Sequence, residues 1–553
     1  MQLLSLFKDL TLHPKNADEL KGLILTLALK GDLTSNWRAE NPDIKSASDL
    51  LQNIEDERVL LIKEKKIKKE KELPPITDDE KPYPLPVKWH FVRLGSIIKI
   101  SSGDGLTSAN MDENGTIPVY GGNGITGYHS KYNVEKPEIV IGRVGYYCGS
   151  IHLSEDKAWV TDNAFVTRFS ESNIYRDYLV WLLTGTNLKE DENATAQPVI
   201  SGRKVYPIIV AFPPLEEQKA IVEVVNELFA EVEQLEELTK ERISLKEDFV
   251  TSALQRLTQA DNTTQEWNFL QQHFSSFFTE KANIKKLRET ILQLAVQGKL
   301  TAQWRKANPS VENASELLKR IEAEKQQLIA DKKIKKEKPL AQIEDEDKPY
   351  DLPDGWAWSR VGSVSTIKGG KRIPKGHQLT DTETAHMYIR VTDMKGGSVS
   401  FSKLKYITED VYEIIKAYTI SKDDLYITIA GTIGDVGVIP EELHNMNLTE
   451  NAAKIMMYEV DKIYLKTLLS SYVCQSQFLD KVNQMAQPKL ALHRIASTLI
   501  PLPPIEEQQA IVEKVNSLMA LCDELELQID NSQTQIEQLM QSCLKEVFEQ
   551  ESN

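Results

Sequence analysis

Cysteine is scarce in this 553-residue chain. There are four, Cys148, Cys474, Cys522 and Cys543, with no Cys-x-x-Cys or Cys/His spacing. That speaks against a disulfide framework or structural zinc and predicts reduced thiols. No stretch approaches the ~18 consecutive apolar residues of a membrane helix. The first residues, MQLLSLFKDLTLHP, lack a basic segment leading into a long apolar run, so no secretory signal is expected and the chain is expected to be cytoplasmic. The phosphate loop GxxxxGK[ST] is absent, as is HExxH. An amino-methyltransferase loop, Asn/Asp-Pro-Pro-aromatic, is absent too, because Asn41-Pro42 and Asn308-Pro309 lack the second proline and the aromatic residue. The glycine run GGNGITG joins no clear strand to a helix, so it is poor evidence for a cofactor. Asp156, Asp162 and Glu171 read as loop and strand-edge charges rather than a metal cluster. Enzymatic chemistry thus has no visible seat, and no cofactor is expected on this chain.

What the chain has is itself, nearly twice. WRAENP from Trp37 returns as WRKANP from Trp304, and Lys65 to Lys71 (KKIKKEK) returns unchanged as Lys332 to Lys338. Lys81-Pro82-Tyr83 and Trp89 return as Lys348-Pro349-Tyr350 and Trp356, always 267 residues later. The match then fades and resumes at an offset of 290, with PPLEEQKAIVE from Pro213 against PPIEEQQAIVE from Pro503. The second middle is therefore 23 residues longer. The period is far too long for a solenoid repeat of ~20 to 50 residues. Matching ends around diverging centres describe one scaffold, used twice, holding two different modules.

The net charge of −16 seems to argue against a nucleic-acid partner, but its distribution matters more than its sum. Residues 89–212 carry 11 Lys+Arg against 13 Asp+Glu, and residues 356–502 carry 17 against 15. The acidic excess lies in the repeated helical parts. Each middle is left free to gather its basic side chains on one face.

Each copy opens with an apolar helix, LKGLILTLAL from Leu20 and LRETILQLAV from Leu287, stopped by Gly31 and Gly298. A second helix is predicted from Ser48 to about Lys71 and from Ser315 to about Lys338, with the two serines as N-caps and proline as the stop. Its lysine-rich end has two readings, a solvated helix face that complements the macrodipole or a phosphate-contacting stripe. The middles show short β-rich runs separated by Gly, Asn and Asp, with a helix near the end of each, at Tyr175–Leu183 and Ile463–Lys481. Each reads as a compact α+β domain with glycine-bearing loops. A long helix closes each copy. In the last, Ile511, Val515, Leu518, Cys522, Leu525, Ile529, Ser532, Ile536, Leu539 and Cys543 step by four and three, a coiled-coil seam. The first copy's seam, from Ile221 through Leu235, either crosses a polar centre at Thr239, Arg242 and Lys246 or shifts to Leu238 and Leu245. Residues 258–281 look like the linker between copies.

LRETILQLAVQGKLTAQW from Leu287, the ASELL helix at Ala314, YDLPDGWAWSRVG from Tyr350 and the PPxEEQxAIVE openings together resemble the specificity subunit of Type I restriction–modification enzymes, over nearly the whole chain. The resemblance implies two α+β target recognition domains held apart by long helices that form an antiparallel coiled coil, a pseudo-twofold tandem. Its expected divisions are a helical region at 1–88, recognition domains at 89–212 and 356–502, a central long helix at 213–258, a linker and second helical region at 259–355, and a C-terminal helix at 503–553. It implies double-stranded DNA as ligand, each domain reading one half of an asymmetric two-part site. Two modification (methyltransferase) subunits and the motor-nuclease restriction subunits are the implied partners, which would hold S-adenosylmethionine, ATP and Mg²⁺. A stand-alone nuclease or methyltransferase conflicts with the missing signatures. A plain coiled-coil scaffold gives two divergent middles no purpose.

Phosphates favour Lys, Arg and small hydroxyls, whereas base edges favour Arg, Lys, Asn and Gln. The candidate contacts are Thr107, Ser108, Asn123, Arg143, Tyr146, Arg203 and Lys204 in the first middle. In the second they are Lys371, Arg372, Lys375, Arg390, Lys395, Lys489 and Arg494. Gln197-Pro198 and Gln487-Pro488 recur at the 290 offset and more simply shape a common loop. If the long helices act as a ruler, inserting four residues after Val232, roughly 6 Å of helix, should lengthen the unspecified spacer of the methylated motif by one or two base pairs at ~3.4 Å each. The bases read should not change, and methylome sequencing distinguishes an altered spacer from an altered half-site.

Overall fold

The computed structural model describes residues 16–69, 72–112, 114–188, 199–260, 263–479 and 489–549; Gln197-Pro198 and Gln487-Pro488 lie outside them. The chain divides into two compact units, residues 1–242 with 534–553, and residues 243–533. No described helix is long and apolar enough to cross a membrane.

In the first unit, helix α1 (Asn16–Lys30) and α2 (Ala47–Lys63) precede the middle, α3 (Arg176–Gly185) lies within it, and the 45-residue α4 (Leu215–Gln259) follows. Leu20, Ile24 and Ala28 of α1 share a core with Ile221, Val225 and Val232 of α4. Gly31 ends α1 as the sequence predicts. Its φ is +87°, Asp32 N–H donates to the Leu27 carbonyl, and a Cβ here would stand 3.0 Å from the Trp89 ring. The second helix departs from expectation. Ser46, not Ser48, is the N-cap, its hydroxyl accepting from Ser48 N–H. The helix stops at Lys63, before the lysine run and well before any proline. Lys65 takes φ +58°, with Lys66 N–H on the Leu61 carbonyl and Lys65 N–H on Ile62, the paired closure for which glycine is usual.

The second unit repeats this with α5 (Lys281–Val296), α6 (Ala314–Ala330), α7 (Lys462–Ser470) and the 45-residue α8 (Ile505–Glu549). Asn313, not Ser315, caps α6, and Lys332 at φ +59° closes it with the same two bonds, so this helix too ends before its lysines. The helix expected over Ile463–Lys481 breaks at Ser471, extended at ψ 156° with its hydroxyl on the Leu468 carbonyl at 2.6 Å. The aromatic segment expected as linker forms two short helices, Thr263–Gln272 and Phe274–Phe277, with Phe277 stacked on Phe249 at 3.9 Å.

Within this second unit the end of α4 (Val250, Leu254, Leu257), α5 and α8 (Ile511, Val515, Cys522, Ile529) bury one core. Lys246 reaches Thr279 and Lys286 reaches Thr251, so α5 runs parallel to the end of α4. Lys281 pairs with Asp530 and Arg288 with Asp523, so α5 runs antiparallel to α8. The end of α4 and the start of α8 are therefore antiparallel. On α4 the shift to Leu238 and Leu245 does not occur, since both are exposed; Thr239 is buried and Lys246 half-buried as the polar centre expects, but Arg242 is exposed and Ile243 takes its place. On α8 the apolar burial extends to Ile529 and Leu539 is exposed.

The described residues of the first middle form nine strands, β1 (His90–Arg93), β2 (Ile98–Ser102), β3 (Ile117–Gly121), β4 (Gly124–His129), β5 (Ile139–Gly142), β6 (Ile151–Leu153), β7 (Trp159–Val160), β8 (Ala164–Phe169) and β9 (Ile209–Phe212). They form one sheet in the order β2-β8-β5-β6 and another in the order β4-β3-β7, with β3 and β7 parallel. The described residues of the second form twelve, β10 (Ala357–Arg360), β11 (Ser365–Gly369), β12 (Met387–Ile389), β13 (Met394–Lys395), β14 (Ser398–Val399), β15 (Lys405–Tyr406), β16 (Thr419–Ile420), β17 (Leu425–Thr428), β18 (Val436–Val438), β19 (Met446–Leu448), β20 (Ala452–Met457) and β21 (Leu499–Leu502). Their main sheets run β11-β20-β17-β18 and β15-β12-β19-β16, again with a parallel central pair, β12 and β19. Two middles that the sequence reads as divergent thus share one two-sheet plan. In each, the first and last strands pair antiparallel, His90 opposite Phe212 and Ala357 opposite Leu502.

The repeated motifs meet at the start of each long helix. The Glu217 side chain is fully buried. It accepts from Thr34 Oγ1 at 2.8 Å, Arg38 Nη1 at 2.6 Å and Trp89 Nε1 at 2.7 Å. Glu507 accepts from Thr301 at 2.6 Å, from Arg305, and from Trp356 Nε1 at 2.8 Å. Next to it, Gln218 donates to the Pro213 carbonyl and accepts from Tyr175 N–H at the start of α3. Gln508 likewise joins the Pro503 carbonyl to Asp461 N–H before α7. The paired Glu-Gln is the joint between scaffold and module. Glu217→Ala, which strands the largely buried Arg38 guanidinium and the Trp89 indole, is expected to cost the first unit roughly 3 to 5 kcal/mol, read as a lowered denaturant midpoint.

Candidate nucleic-acid interface

Loops of the first middle converge where β2, β5 and the β3–β4 hairpin end. Gly103, just past β2, is wedged so tightly that a Cβ would lie 2.2 Å from the Val160 carbonyl oxygen. After β5 the chain turns through Gly145 (φ +94°) and Gly149 (φ +85°), which leaves Tyr146 82 % exposed and edge-on to Tyr147. Arg143 is held by the Asp162 carbonyl at 3.2 Å and Ser102 Oγ at 3.3 Å, 5.4 Å from the Phe165 ring centroid. Its Nε is buried without an acceptor among the described residues. The hairpin turn carrying Asn123 abuts this loop, for a Cβ on Gly122 would come within 2.6 Å of the Val144 carbonyl. Asn123, Arg143 and Tyr146 are thereby brought together. Arg203 and Lys204 sit exposed on a helical turn, Gly202–Val205, shortly after Ile200, whose N–H donates to the Arg143 carbonyl. Thr107 and Ser108 are exposed in a separate turn; just beyond it the Met111 sulfur packs under Gly127 of β4.

In the second middle, Lys371, Arg372 and Lys489 gather around Glu450. Arg372 Nε donates to its carboxylate at 2.7 Å, Lys489 Nζ to its carbonyl at 3.2 Å, and the Tyr388 hydroxyl lies between that carboxylate and the Lys371 carbonyl. The Lys371 ammonium rests 5.4 Å from the centroid of the Tyr418 ring. Burial raises the Glu450 carboxyl, but the Arg372 hydrogen bond leads the interactions that hold it below its usual range. Burial pushes the Tyr388 hydroxyl up to about 12. Lys375 is exposed further along the same loop. Lys395 is exposed at the tip of the β13–β14 hairpin, whose Gly396 and Gly397 take φ +61° and +71°. Arg494 is half-buried on the turn Leu492–Ser497. Arg390 faces inward, its fork closed on Asp393 at 2.6 and 3.0 Å and on the Lys403 carbonyl.

The two clusters are built on one frame. Thr161-Asp162-Asn163-Ala164 and Thr449-Glu450-Asn451-Ala452 occupy the same place between sheets. Gly103 N–H bonds the Ala164 carbonyl as Gly370 N–H bonds Ala452. Arg143 and Ile429 N–H bond the Asn163 and Asn451 carbonyls, and Ile200 and Leu490 N–H bond the Arg143 and Ile429 carbonyls. Asp162 and Glu450 thus stand at equivalent points, a correspondence that the sequence reading missed. The signal was three identities in four residues at an offset of 288, hidden because it agrees with neither the 267 before it nor the 290 after it. Together the loops offer cationic forks, an amide, a carboxylate and exposed aromatic rings, a set suited to phosphates and base edges.

Burial pushes the Cys474 thiol to about 12 and the Cys522 thiol to about 11, so neither is a thiolate at neutral pH. Among the described residues, no group of three His, Cys, Asp or Glu side chains is placed to hold a metal ion.

A family model described as the Type I restriction modification DNA specificity domain matches residues 86–245 and 353–535. The Type I restriction enzyme EcoAI specificity subunit of Escherichia coli is 30% identical, over 94% of this chain and 92% of that protein. The EcoEI specificity subunit of Escherichia coli is 27% identical, over 93% and 91%. A chain in a solved structure concerning complex assembly and conformational transition of the type I R-M system shares the fold with a TM-score of 0.52, at 17% identity over 84% of this chain and 99% of that one.

The glycine frame yields a sharp contrast. Gly370→Ala would set a Cβ 2.2 Å from the Thr449 carbonyl oxygen and is expected to cost about 1 to 3 kcal/mol, whereas Gly369→Ala, with 3.6 Å to Leu492, should be tolerated. Thermal unfolding of the two variants measures the difference.

Proposed function

The chain belongs to the DNA specificity subunits of Type I restriction–modification systems, and from that premise we propose that its two middles each read one half of an asymmetric, two-part DNA site. The observation that carries this is the pair of loop clusters. They stand on the same frame, yet one presents Asn123, Arg143 and Tyr146 where the other presents Lys371, Arg372 and Lys489 around Glu450. One plan with two different surfaces suits two different base sequences. Thr107, Ser108, Arg203, Lys204, Lys375, Lys395 and Arg494 complete the proposed contacts, with Arg390 holding its loop through Asp393.

In this reading the chain performs no chemistry and holds no cofactor. Modification subunits dock on it and bring S-adenosylmethionine. Restriction subunits bring ATP and Mg²⁺, and the complex works in the cytoplasm. The long helices set the spacer between the half-sites.

Exchanging residues 356–502 for the matching segment of a related chain should change one half of the methylated motif and spare the other, as methylome sequencing would show. Arg372→Ala and Arg494→Ala sort the contacts. Loss of a bidentate base contact should cost about 1 to 3 kcal/mol and relax one position, whereas loss of a phosphate contact should weaken every sequence alike. Normal binding by both variants at every salt concentration would remove these two residues from the interface.

A further inference from the structure

The sequence KKIKK stands twice in the chain, at Lys65–Lys69 and Lys332–Lys336, and in both places it lies outside the helix that precedes it. Each run begins on a left-handed lysine, and each tucks in one half-buried isoleucine, Ile67 or Ile334, whose N–H returns to Leu61 or Leu328. The lysines around that anchor are exposed. Lys66 and Lys333 lie near Glu64 and Asp331. Lys65, Lys68 and Lys69 in the first run, and Lys332, Lys335 and Lys336 in the second, form no ion pair among the described residues. Elsewhere in the repeat, Lys81 pairs with Asp78 and Lys348 with Asp345.

The surroundings are repeated as well. Downstream of the first run, Leu73 meets Tyr206 over Gly95, where a Cβ would lie 2.9 Å from Leu73 and 2.7 Å from Tyr206. Tyr206 directly follows the turn that carries Arg203 and Lys204. Downstream of the second, Leu340 meets Ala496 over Gly362, at 3.2 and 3.0 Å, and Ala496 lies on the turn that carries Arg494. In each unit a leucine four residues beyond the run thus packs, over a glycine, against the residue at or just after the turn that carries cationic side chains of the module.

We infer that the two lysine straps grip the phosphodiester backbone of duplex DNA, independently of sequence, one beside each half-site. This rests on the reading of the chain as a DNA specificity subunit and adds a second class of contact to it. Modules that differ must meet what differs between the half-sites, the bases. Straps that are identical must meet what is the same in both, and the backbone is the part of a two-part DNA site that does not change. Lysine is a point charge suited to phosphate, whereas protein interfaces are depleted in it and centre on large apolar anchors, of which the straps expose none.

The test uses the purified full chain and two labelled duplexes, one with the methylated motif and one scrambled, titrated across a range of salt. Replacing Lys65, Lys68 and Lys69 with Gln should reduce the slope of log Kobs against log salt by about 1 for each lysine engaged, with equal loss of affinity on both duplexes. The Lys332, Lys335 and Lys336 triple should act likewise, and arginine at the same positions should keep the slope. Since these side chains are exposed, the melting temperature should match that of the parent chain, and single variants replace any triple that melts early. A parental slope in the glutamine variants overturns the proposal; if those variants also lose a co-purifying methyltransferase subunit, the straps serve a protein partner. If the parent chain fails to distinguish the duplexes, the specificity reading falls, while the slopes on either duplex still decide the straps.

Discussion

Everything in each unit is hung on a buried carboxylate. Glu217 and Glu507 sit where an uncompensated charge would be costly, and each is compensated by the same three donors, a threonine hydroxyl, an arginine and a tryptophan N–H. Those donors are Thr34 or Thr301 in the turn after the opening helix, Arg38 or Arg305 in the short helix that follows, Ser35–Glu40 or Ala302–Ala307, and the tryptophan before the module's first strand. One anion therefore fixes the position of three segments relative to the long helix. The arginine also lies 5.9 Å from the centroid of the tryptophan ring in one copy and 5.8 Å in the other, so the network is packed as well as bonded. The glutamine that follows carries the order on into the module by meeting the N–H at the start of its helix. The repeated WR, W and EEQ of the sequence are these contacts.

Beneath two sequences that scarcely match, the modules keep the same strand order and the same glycine wedges. Sheet pairing is satisfied by backbone, and the strand interiors ask only for apolar side chains, so Ile139-Val140-Ile141 and Leu425-Tyr426-Ile427 occupy matching strands with little identity. What cannot drift is the close approach of chains. Gly103 and Gly370 persist because carbonyl oxygens occupy the space of a side chain. The loops above are released from that demand, and there the chemistry diverges.

This also marks how far the sequence could be read. The opening helices, the long helices and their apolar seam follow from local periodicity, and glycine announced the ends at Gly31 and Gly298. The second helices were read too long because lysine is a good helix former, and nothing local reveals that Lys65 and Lys332 will enter the left-handed region. The shared plan of the modules was out of reach, since it rests on pairings between strands far apart in the chain. Among the candidate contacts, residue type proposed Arg390 as readily as Arg372, and only the tertiary fold distinguishes a fork closed on Asp393 from one on a carboxylate at the loop surface. Asp162 and Glu450 went unnoticed because their repeat has an offset of its own.

The antiparallel ribbons at the base of the modules have an entropic consequence. Because β1 pairs with β9 and β10 with β21, the two ends of each module leave the scaffold side by side. To the scaffold the module is a closed loop, whose closure cost grows only as the logarithm of its length. The 23 extra residues of the second module add about 0.2 kcal/mol on that account. The scaffold is nearly blind to the size of what it carries, so loops can be lengthened or lost at the tip of a module without loosening its base.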